Sequence, residues 1–566
     1  MPLNGTLNTY NYDEVGNLTS VEGCSGNWYY TYNNRGKVTS IISNNYNTST
    51  ITYAANNVDV ISINDYFGEE RRSYNDSHDV TSITDRLGNT TTFNYNVYGQ
   101  ASSVQDALGI FTNYVYDAGH RLVAATREGH TLNQYNYDGL DRVRTHTDAT
   151  GLTRTYDYNE LDQVTRITYP DGKFESYQYS TCCPFKVDSS TERSGQTTFY
   201  SYDQANRLTA VTDPAGGVTR FTYDANGNRT SLIDRKGNTT SFQYDFNNRI
   251  VKKTYANGIY ELFNYDNASS KASYRTDPRG FDTYYGYAPF NKIRFMSTMD
   301  PQTYEFISYD YFDYDDYGRM TWATSSSIDY GYSTYIYNAN HLMSVEGPWR
   351  DYEGNPVDIV TYQYDNLGRR VGMTRQNGQS VSYTYDNLHR LTSVSMGDQV
   401  YTYGYTGASP LVRSLTRANG SVTTYDYDVL NRLTLMTTKV GEMVVNSYGY
   451  TYNAQDLRGS ETAIEAAPPV PYTNELVNYT YNNVNELTQT NDPEAKTLIY
   501  DASGNLTQGY TPEGYVFNAI YDPQNRLTSL SYMDGSGTVN KTGYFYLGNT
   551  VTVQSPFLDE AFFLKK

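Results

Sequence analysis

Tyr223-Asp-Ala-Asn-Gly-Asn-Arg-Thr-Ser-Leu-Ile-Asp-Arg-Lys-Gly-Asn-Thr-Thr-Ser-Phe-Gln243, followed at once by Tyr244, is one period of a repeat. Asp224 to Asn228 reads as a turn. Gly227 supplies a permissive corner, and the Asp and Asn side chains bond local amides. A strand runs from Arg229 to Asp234, Arg235 to Asn238 forms a second turn, and Asn238 to Tyr244 returns. Both connections are short, so consecutive strands are antiparallel neighbours. Each period is one hairpin, and the chain is a long meander.

The unit recurs along almost the whole sequence. Tyrosines followed mostly by Asp or Asn fall 21 residues apart at Tyr32, Tyr53, Tyr74, Tyr95, Tyr116, Tyr137, Tyr158 and Tyr179. After a slip the count resumes at Tyr202, Tyr223, Tyr244 and Tyr265, then more loosely at Tyr314, Tyr337, Tyr364, Tyr385, Tyr427, Tyr452, Tyr481, Tyr500 and Tyr521. A fixed period of this size means an array whose units bury apolar surface against their neighbours. The expected fold class is all-β: a long antiparallel meander of stacked hairpins, coiled into a curved strip or hollow shell.

Return strands carry alternate aromatics, such as Phe221 and Tyr223, Tyr135 and Tyr137, and Tyr383 and Tyr385. Period two puts each pair on one face, and stacking aligns them into ladders. Outgoing strands carry Leu208 and Val211, Leu391 and Val394, and Leu527 and Leu530. Three residues apart, these would point to opposite faces of a straight strand. Either a bulge or partial burial of both faces resolves this.

The 566 residues include 63 Tyr, 20 Phe and 3 Trp, a β composition. One stretch, Glu461 to Ala467, has helical propensity and predicts a turn or two of helix before Pro468-Pro469. The net charge of −19 argues against nucleic acid as a partner. No apolar run approaches the ~20 residues that span a bilayer. Met1 to Thr6 has no signal-peptide character, so the chain is expected either to be cut from a longer exported protein or to use another export route. Cys24, Cys182 and Cys183 are too few for a disulfide framework. Irregular inserts fall near 288–313, 338–363 and 453–480. The expected layout is one strip over 1–546, of about 25 hairpins or ~50 strands at ~4.8 Å, and a tail over 547–566; the end hairpins are expected to be covered by flanking domains, by Phe557 to Leu564 folding back, or by another copy. One closed circuit of that strip would measure ~240 Å round and ~75 Å across.

Tyr202-Asp203-Gln-Ala-Asn-Arg207-Leu208-Thr-Ala-Val-Thr-Asp213-Pro214-Ala-Gly216 resembles the YD repeat of the Rhs family. Tyr364-Asp365-Asn-Leu-Gly368-Arg369, Tyr385-Asp386-Asn-Leu-His-Arg390-Leu391 and Tyr521-Asp522-Pro-Gln-Asn-Arg526-Leu527 match it too. The resemblance runs from about Tyr12 to about Tyr546. It implies one β-strip spiralling into a hollow shell, as in bacterial polymorphic toxins, toxin-complex B and C components, wall-associated proteins and teneurins. Bacterial shells of this family hold a C-terminal toxin. The core segment rich in Asp-Pro and Gly-Leu, where some members cut themselves using aspartates, is not visible here.

No unique chemical cluster stands out. His78, His120, His130, His146, His341 and His389 show no zinc spacing. Asp224-x-Asn226-x-Asn228 lacks the Gly and Glu of a calcium loop. Carboxylates recur at every anchor, among them Asp117, Asp138, Asp203, Asp224 and Asp245, and repetition argues for structure rather than catalysis. No catalytic, cofactor-binding or metal-binding residue is therefore nominated, and the chain is expected not to be an enzyme. Gly227 and Gly368 are expected to matter most, and His341 little. The expected function is a shell segment that encloses or displays a partner, either toxin cargo or a flanking surface domain, in an exported bacterial protein. The alternative is an extracellular adhesive protein that binds glycans through exposed tyrosines or self-assembles through strand edges.

Overall fold

The computed structural model describes residues 9–554, apart from 24–25, 44–46, 182, 184, 267–270, 289–291, 316, 327–331, 351–355, 454–455, 466–478, 482–486, 491–496, 502–503, 512–513, 522–526, 536, 538 and 548–549. Among the described residues there is no helix. Fifty strands follow one another, from β1 (Thr9–Tyr12) to β50 (Thr550–Gln554). The first 42 form one sheet in which each strand pairs antiparallel with the next, ending at β42 (Arg458–Glu465). Strands β43 (Tyr479–Tyr481) and β44 (Leu487–Thr490) pair with each other, and β45 (Ile499–Tyr500) to β50 form a further sheet of six. The sheet does not close on itself.

Glu461 to Glu465 belongs to β42 and pairs with β41 (Met443–Tyr452), Tyr450 opposite Glu461. The helix expected there is not formed, because the neighbouring strand's ladder satisfies its backbone and overrides a weak local propensity. Strand pairing also continues beyond 546, where β50 pairs with β49 (Val539–Leu547) in the sheet of six. Phe557 to Leu564, one of the three expected covers for an end hairpin, lie outside the described residues, as do Cys24 and Cys182.

A bulge in every repeat settles the Leu/Val spacing. Where β19 (Thr197–Tyr202) meets β20 (Leu208–Thr212), Tyr202 faces Leu208 but Ser201 faces Ala210, leaving Thr209 as the extra residue. Tyr200 then faces Val211. The ring pair and the aliphatic pair therefore share one face. The same shift places Tyr385 on Leu391 with Tyr383 on Val394, and Tyr521 on Leu527 with Ala519 on Leu530. Extra twist at each bulge accumulates and bends the strip.

Bending takes the strip round on itself. Asn340, in the turn between β31 (Tyr332–Tyr337) and β32 (Met343–Arg350), hydrogen-bonds Asp85, in the turn between β8 (Val80–Thr84) and β9 (Thr90–Tyr95). Asn431 meets Thr150 in the same manner, 281 residues apart. One circuit therefore takes about 24 strands, roughly 115 Å at ~4.8 Å each, and measures roughly 37 Å across. The strip winds about twice instead of making the single wide ring expected from its length. Barrels of sixteen strands already leave a channel, so a circuit of this size leaves a lumen that its own side chains do not fill.

Candidate functional site: the seam between circuits

Two kinds of turn border the strip. An anchor turn follows each anchor tyrosine. The distal turn lies at the far end of the hairpin.

In the anchor turn after Tyr116, Asp117 accepts from the amides of Gly119 and Arg121 at 2.9 and 3.0 Å through Oδ1, and from Arg121 Nε at 2.8 Å through Oδ2. The Arg121 guanidinium holds the Asp117 carboxyl below the usual carboxylate range. The fourth residue takes positive φ: Gly227 at 90°, Gly368 at 75°, Asn206 at 63°, and four of the six histidines. His78, His120, His341 and His389 are thus corner residues, where short polar side chains best tolerate the left-handed region. Asp224 spends both oxygens on Asn228, which accounts for its calcium-like spacing.

Where the fifth residue of an anchor turn is arginine, it links that turn to the next. Arg121 stacks on Tyr137 at 4.7 Å and donates to Asp141 at 2.6 Å. Arg142 repeats this with Tyr158 and Asp162, and Arg432 with Tyr452 and Asp456. Anchor phenols from Tyr32 to Tyr452 donate to a carbonyl at the start of the preceding strand, as Tyr137 Oη does to Leu122 O at 2.6 Å and Tyr223 Oη to Leu208 O at 2.7 Å. Burial raises the Tyr137 phenol above its ordinary pKa. Tyr287 and Tyr405 make the same bond to Ala272 and Leu391. Tyr287, expected only as the edge of an insert, and Tyr405 are thus anchors as well, with Ala288 and Thr406 in place of the usual Asp or Asn.

The seam forms where anchor turns of the second circuit rest on distal turns of the first. At one end, Phe67 packs edge-on against Tyr317 at 5.2 Å and His341 at 5.4 Å, under the Arg319 guanidinium at 4.7 Å. Burial and the nearby Asp65 carboxylate push the Tyr317 phenol up to about 12. Next, Asn340 Nδ2 donates to Asp85 Oδ2 at 2.6 Å. Further along, His389 Nε2 faces Asp106 Oδ2 at 3.2 Å, while its Nδ1 lies 3.0 Å from Arg369 Nη1. Asn431 Nδ2 then donates to Thr150 Oγ1 at 2.7 Å. Arg193, stacked on Tyr169 at 4.5 Å, bridges Asp171 at 2.7 Å and Asp456 at 2.8 Å. The row continues to Arg279, 3.6 Å from Asp501.

Burial lowers the pKa of both seam histidines. Arg319 and Arg86 add to the effect at His341, and Arg127 and Arg369 at His389. The seam joins distal-turn carboxylates to anchor-turn amides and imidazoles, and distal-turn guanidiniums to anchor-turn carboxylates. Its chemistry is adhesion of one circuit to the next. His341, expected to carry little, lies inside it. Among the described residues, no three or more His, Cys, Asp or Glu side chains are grouped to hold a metal ion. Cys183 is a reduced thiol donating to Asn206 Oδ1 at 2.6 Å.

Seven stretches match the family model described as RHS Repeat: 74–110, 137–173, 189–218, 202–239, 223–260, 364–401 and 411–443. Among solved structures, the Tc holotoxin pore of Photorhabdus luminescens aligns with 96% of this chain and 30% of its own, at 12% identity and a TM-score of 0.52. The crystal structure of TcdB2–TccC3–Cdc42 aligns with 96% of this chain and 40% of its own, at 11% identity and a TM-score of 0.48. The chain therefore spans 30 to 40% of the length of these two chains. Comparison with curated protein sequences gives no match.

Proposed function

The chain belongs to the RHS-repeat family, and we propose that it serves as wall in a non-enzymatic shell that encloses a polypeptide, with the finished assembly working outside the cell that makes it. The observation that carries this is the seam. A strip that merely displayed partners would need no bonds between circuits. Here a row of hydrogen bonds and ion pairs from Asp65 to Asp456 joins turn to turn and makes a coiled ribbon into a continuous barrier. The lumen then excludes proteases and other macromolecules by size, while the sheet's paired backbone gives them little to attack. Anchor tyrosines from Tyr32 to Tyr452 commit their hydroxyls to backbone carbonyls, and anchor carboxylates such as Asp117, Asp203 and Asp428 close their own turns. These repeated groups thus have structural duties. No helix among the described residues is long and apolar enough to cross a membrane.

The test is protection. A short polypeptide carrying a protease site, fused after Lys566, is expected to resist a protease in the native protein and to be cut once the shell is unfolded. Cleavage at the same rate in both states would remove enclosure as the function. Purified chain should keep constant intact mass on long incubation, and a discrete fragment formed by the chain itself would overturn the non-enzymatic reading.

A further inference from the structure

The seam uses one edge of each circuit, and among the described residues nothing packs on the other two. They are the anchor turns of the first circuit and the distal turns of the second.

The third residue of the anchor turn shows what covering does. In the second circuit Leu367, Leu388 and Leu430 hold this position and are half-buried, because their turns belong to the edge that rests on the first circuit. In the first circuit Leu140 and Leu161 hold it at 70% and 56% exposure, as Tyr98 does at 67%. The turns share one hydrogen-bonding pattern, so the difference is contact alone. Tyr98, Leu140 and Leu161, with Gly119 in the turn between the first two, thus face water along one rim, and exposed large apolar side chains grouped in this way mark an interaction surface.

The opposite rim is apolar as well. Distal turns of the first circuit begin with carboxylates such as Asp85, Asp106 and Asp148. In the second circuit the turn between β36 (Leu391–Met396) and β37 (Gln399–Tyr405) begins with Met396, and the turn between β40 (Leu433–Val440) and β41 begins with Val440 and ends with Met443. These three are 53%, 45% and 66% exposed. On the anchor rim Asp141 and Asp162 occupy the corner position, held by Arg121 and Arg142 of the preceding turns, and on the other rim Arg375 and Arg417 open distal turns that alternate with those of Asp398 and Glu442. Within the seam, Asp456 holds that same corner position and pairs with Arg193 of a distal turn.

We propose that these rims fit one another between molecules: the anchor turns of the first circuit, Asn96 to Gln163, dock on the distal turns Arg375 to Met443 of a second copy. The contact continues the intramolecular seam by one more circuit, with apolar side chains in place of most of its polar pairs. Because it joins two different surfaces it is heterologous, and copies stack end on end into an open row. This inference rests on the rims and not on whether the lumen holds a cargo.

Sedimentation velocity and negative-stain electron microscopy of the 566-residue chain test it. The parent chain is expected to form end-on stacks that lengthen with concentration. The anchor-rim variant Leu140→Asp with Leu161→Asp, and the distal-rim variant Met396→Asp with Met443→Asp, should each be monomeric. Each keeps the rim that the other has lost, so an equimolar mixture should yield a one-to-one dimer and nothing longer. That dimer also shows that both variants fold. A parent chain that stays monomeric at every concentration, rim variants that stack like the parent, or a mixture that stays monomeric overturns the proposal.

Discussion

Arg193 Nη1 donates to Asp456 Oδ2 at 2.8 Å, across 263 residues of sequence and one full circuit of the strip. Arg193 is 11% exposed and also holds Asp171, while Asp456 also accepts from Arg432 at 2.6 Å. Two guanidiniums and two carboxylates thus alternate across the seam. Such a cluster lies between exposed pairs, worth ~0–1 kcal/mol, and buried ones, where removing one partner costs ~3–5 kcal/mol. Arg193→Ala is expected to cost about 1–3 kcal/mol. A double-mutant cycle with Asp456→Ala should return a coupling of about 1 kcal/mol in denaturant melts. Additive single effects would mean that the two circuits do not hold each other here.

The anchor tyrosines make a separate test. Tyr137→Phe keeps the ring under Arg121 but leaves the Leu122 carbonyl without its phenol donor, at a cost of about 1 kcal/mol. Tyr137→Ala removes the stack and the packing too and should cost about 3–5 kcal/mol, seen as a lower melting temperature. Equal losses for Phe and Ala would show that the hydroxyl, rather than the ring, is the brace.

Hairpins, antiparallel order and corner glycines are readable in the sequence because each depends on residues within one 21-residue period. Gly227 sits at positive φ for reasons local to Asp224 and Asn228. The bulge at Thr209 is not readable in that way. Leu208 and Val211 reveal that something must shift, but only pairing with Tyr202 and Tyr200 shows what. The seam lies further out of reach, since nothing in the repeat at Asp85 names Asn340 as its partner 255 residues on. The same distance hid the size of the circuit and the place of His341, which has no signal beyond standing where Gly stands in sister repeats. Glu461 to Glu465 was misread because local propensity favours helix and the ladder with β41 does not appear in a local window.

Corner geometry gives a prediction free of packing. A Cβ on Gly227 would meet nothing within 4 Å, so any loss in Gly227→Val comes from forcing a β-branched residue to a φ of 90°. That should cost more than ~1 kcal/mol. Asn206→Gly, at the equivalent corner, should change stability by only a few tenths of a kcal/mol. An unchanged melting temperature for Gly227→Val would mean that the turn can flip to an alternative that avoids positive φ.

The seam histidines predict how stability responds to acid. His341 Nδ1 lies 2.8 Å from Arg319 Nη1 and His389 Nδ1 lies 3.0 Å from Arg369 Nη1; in each case the arginine can only donate, so the nitrogen must be neutral to accept. Charging either imidazole removes that bond and sets two cations side by side. Charges facing His341 include Asp65 and Arg86 from the distal turns and Asp315 and Arg319 from its own edge. His389 faces Asp106 and Arg127 across the seam and Asp365 and Arg369 beside it. Both imidazoles titrate below their ordinary value of about 6.5 in the folded chain, so in acid the unfolded chain binds more protons. Their contribution is therefore complete above about pH 6.5 and is lost as pH falls towards the folded value. His78, at an exposed anchor turn, is shifted upwards by its hydrogen bond to Asp59 and has the opposite slope. Melting temperature should accordingly fall from pH 7 to pH 5. The fall should be smaller in a chain with His341→Asn and His389→Asn, since Asn keeps the corner conformation but does not titrate. The same slope in parent and double variant would place the acid sensitivity in the carboxylates and not in the seam imidazoles.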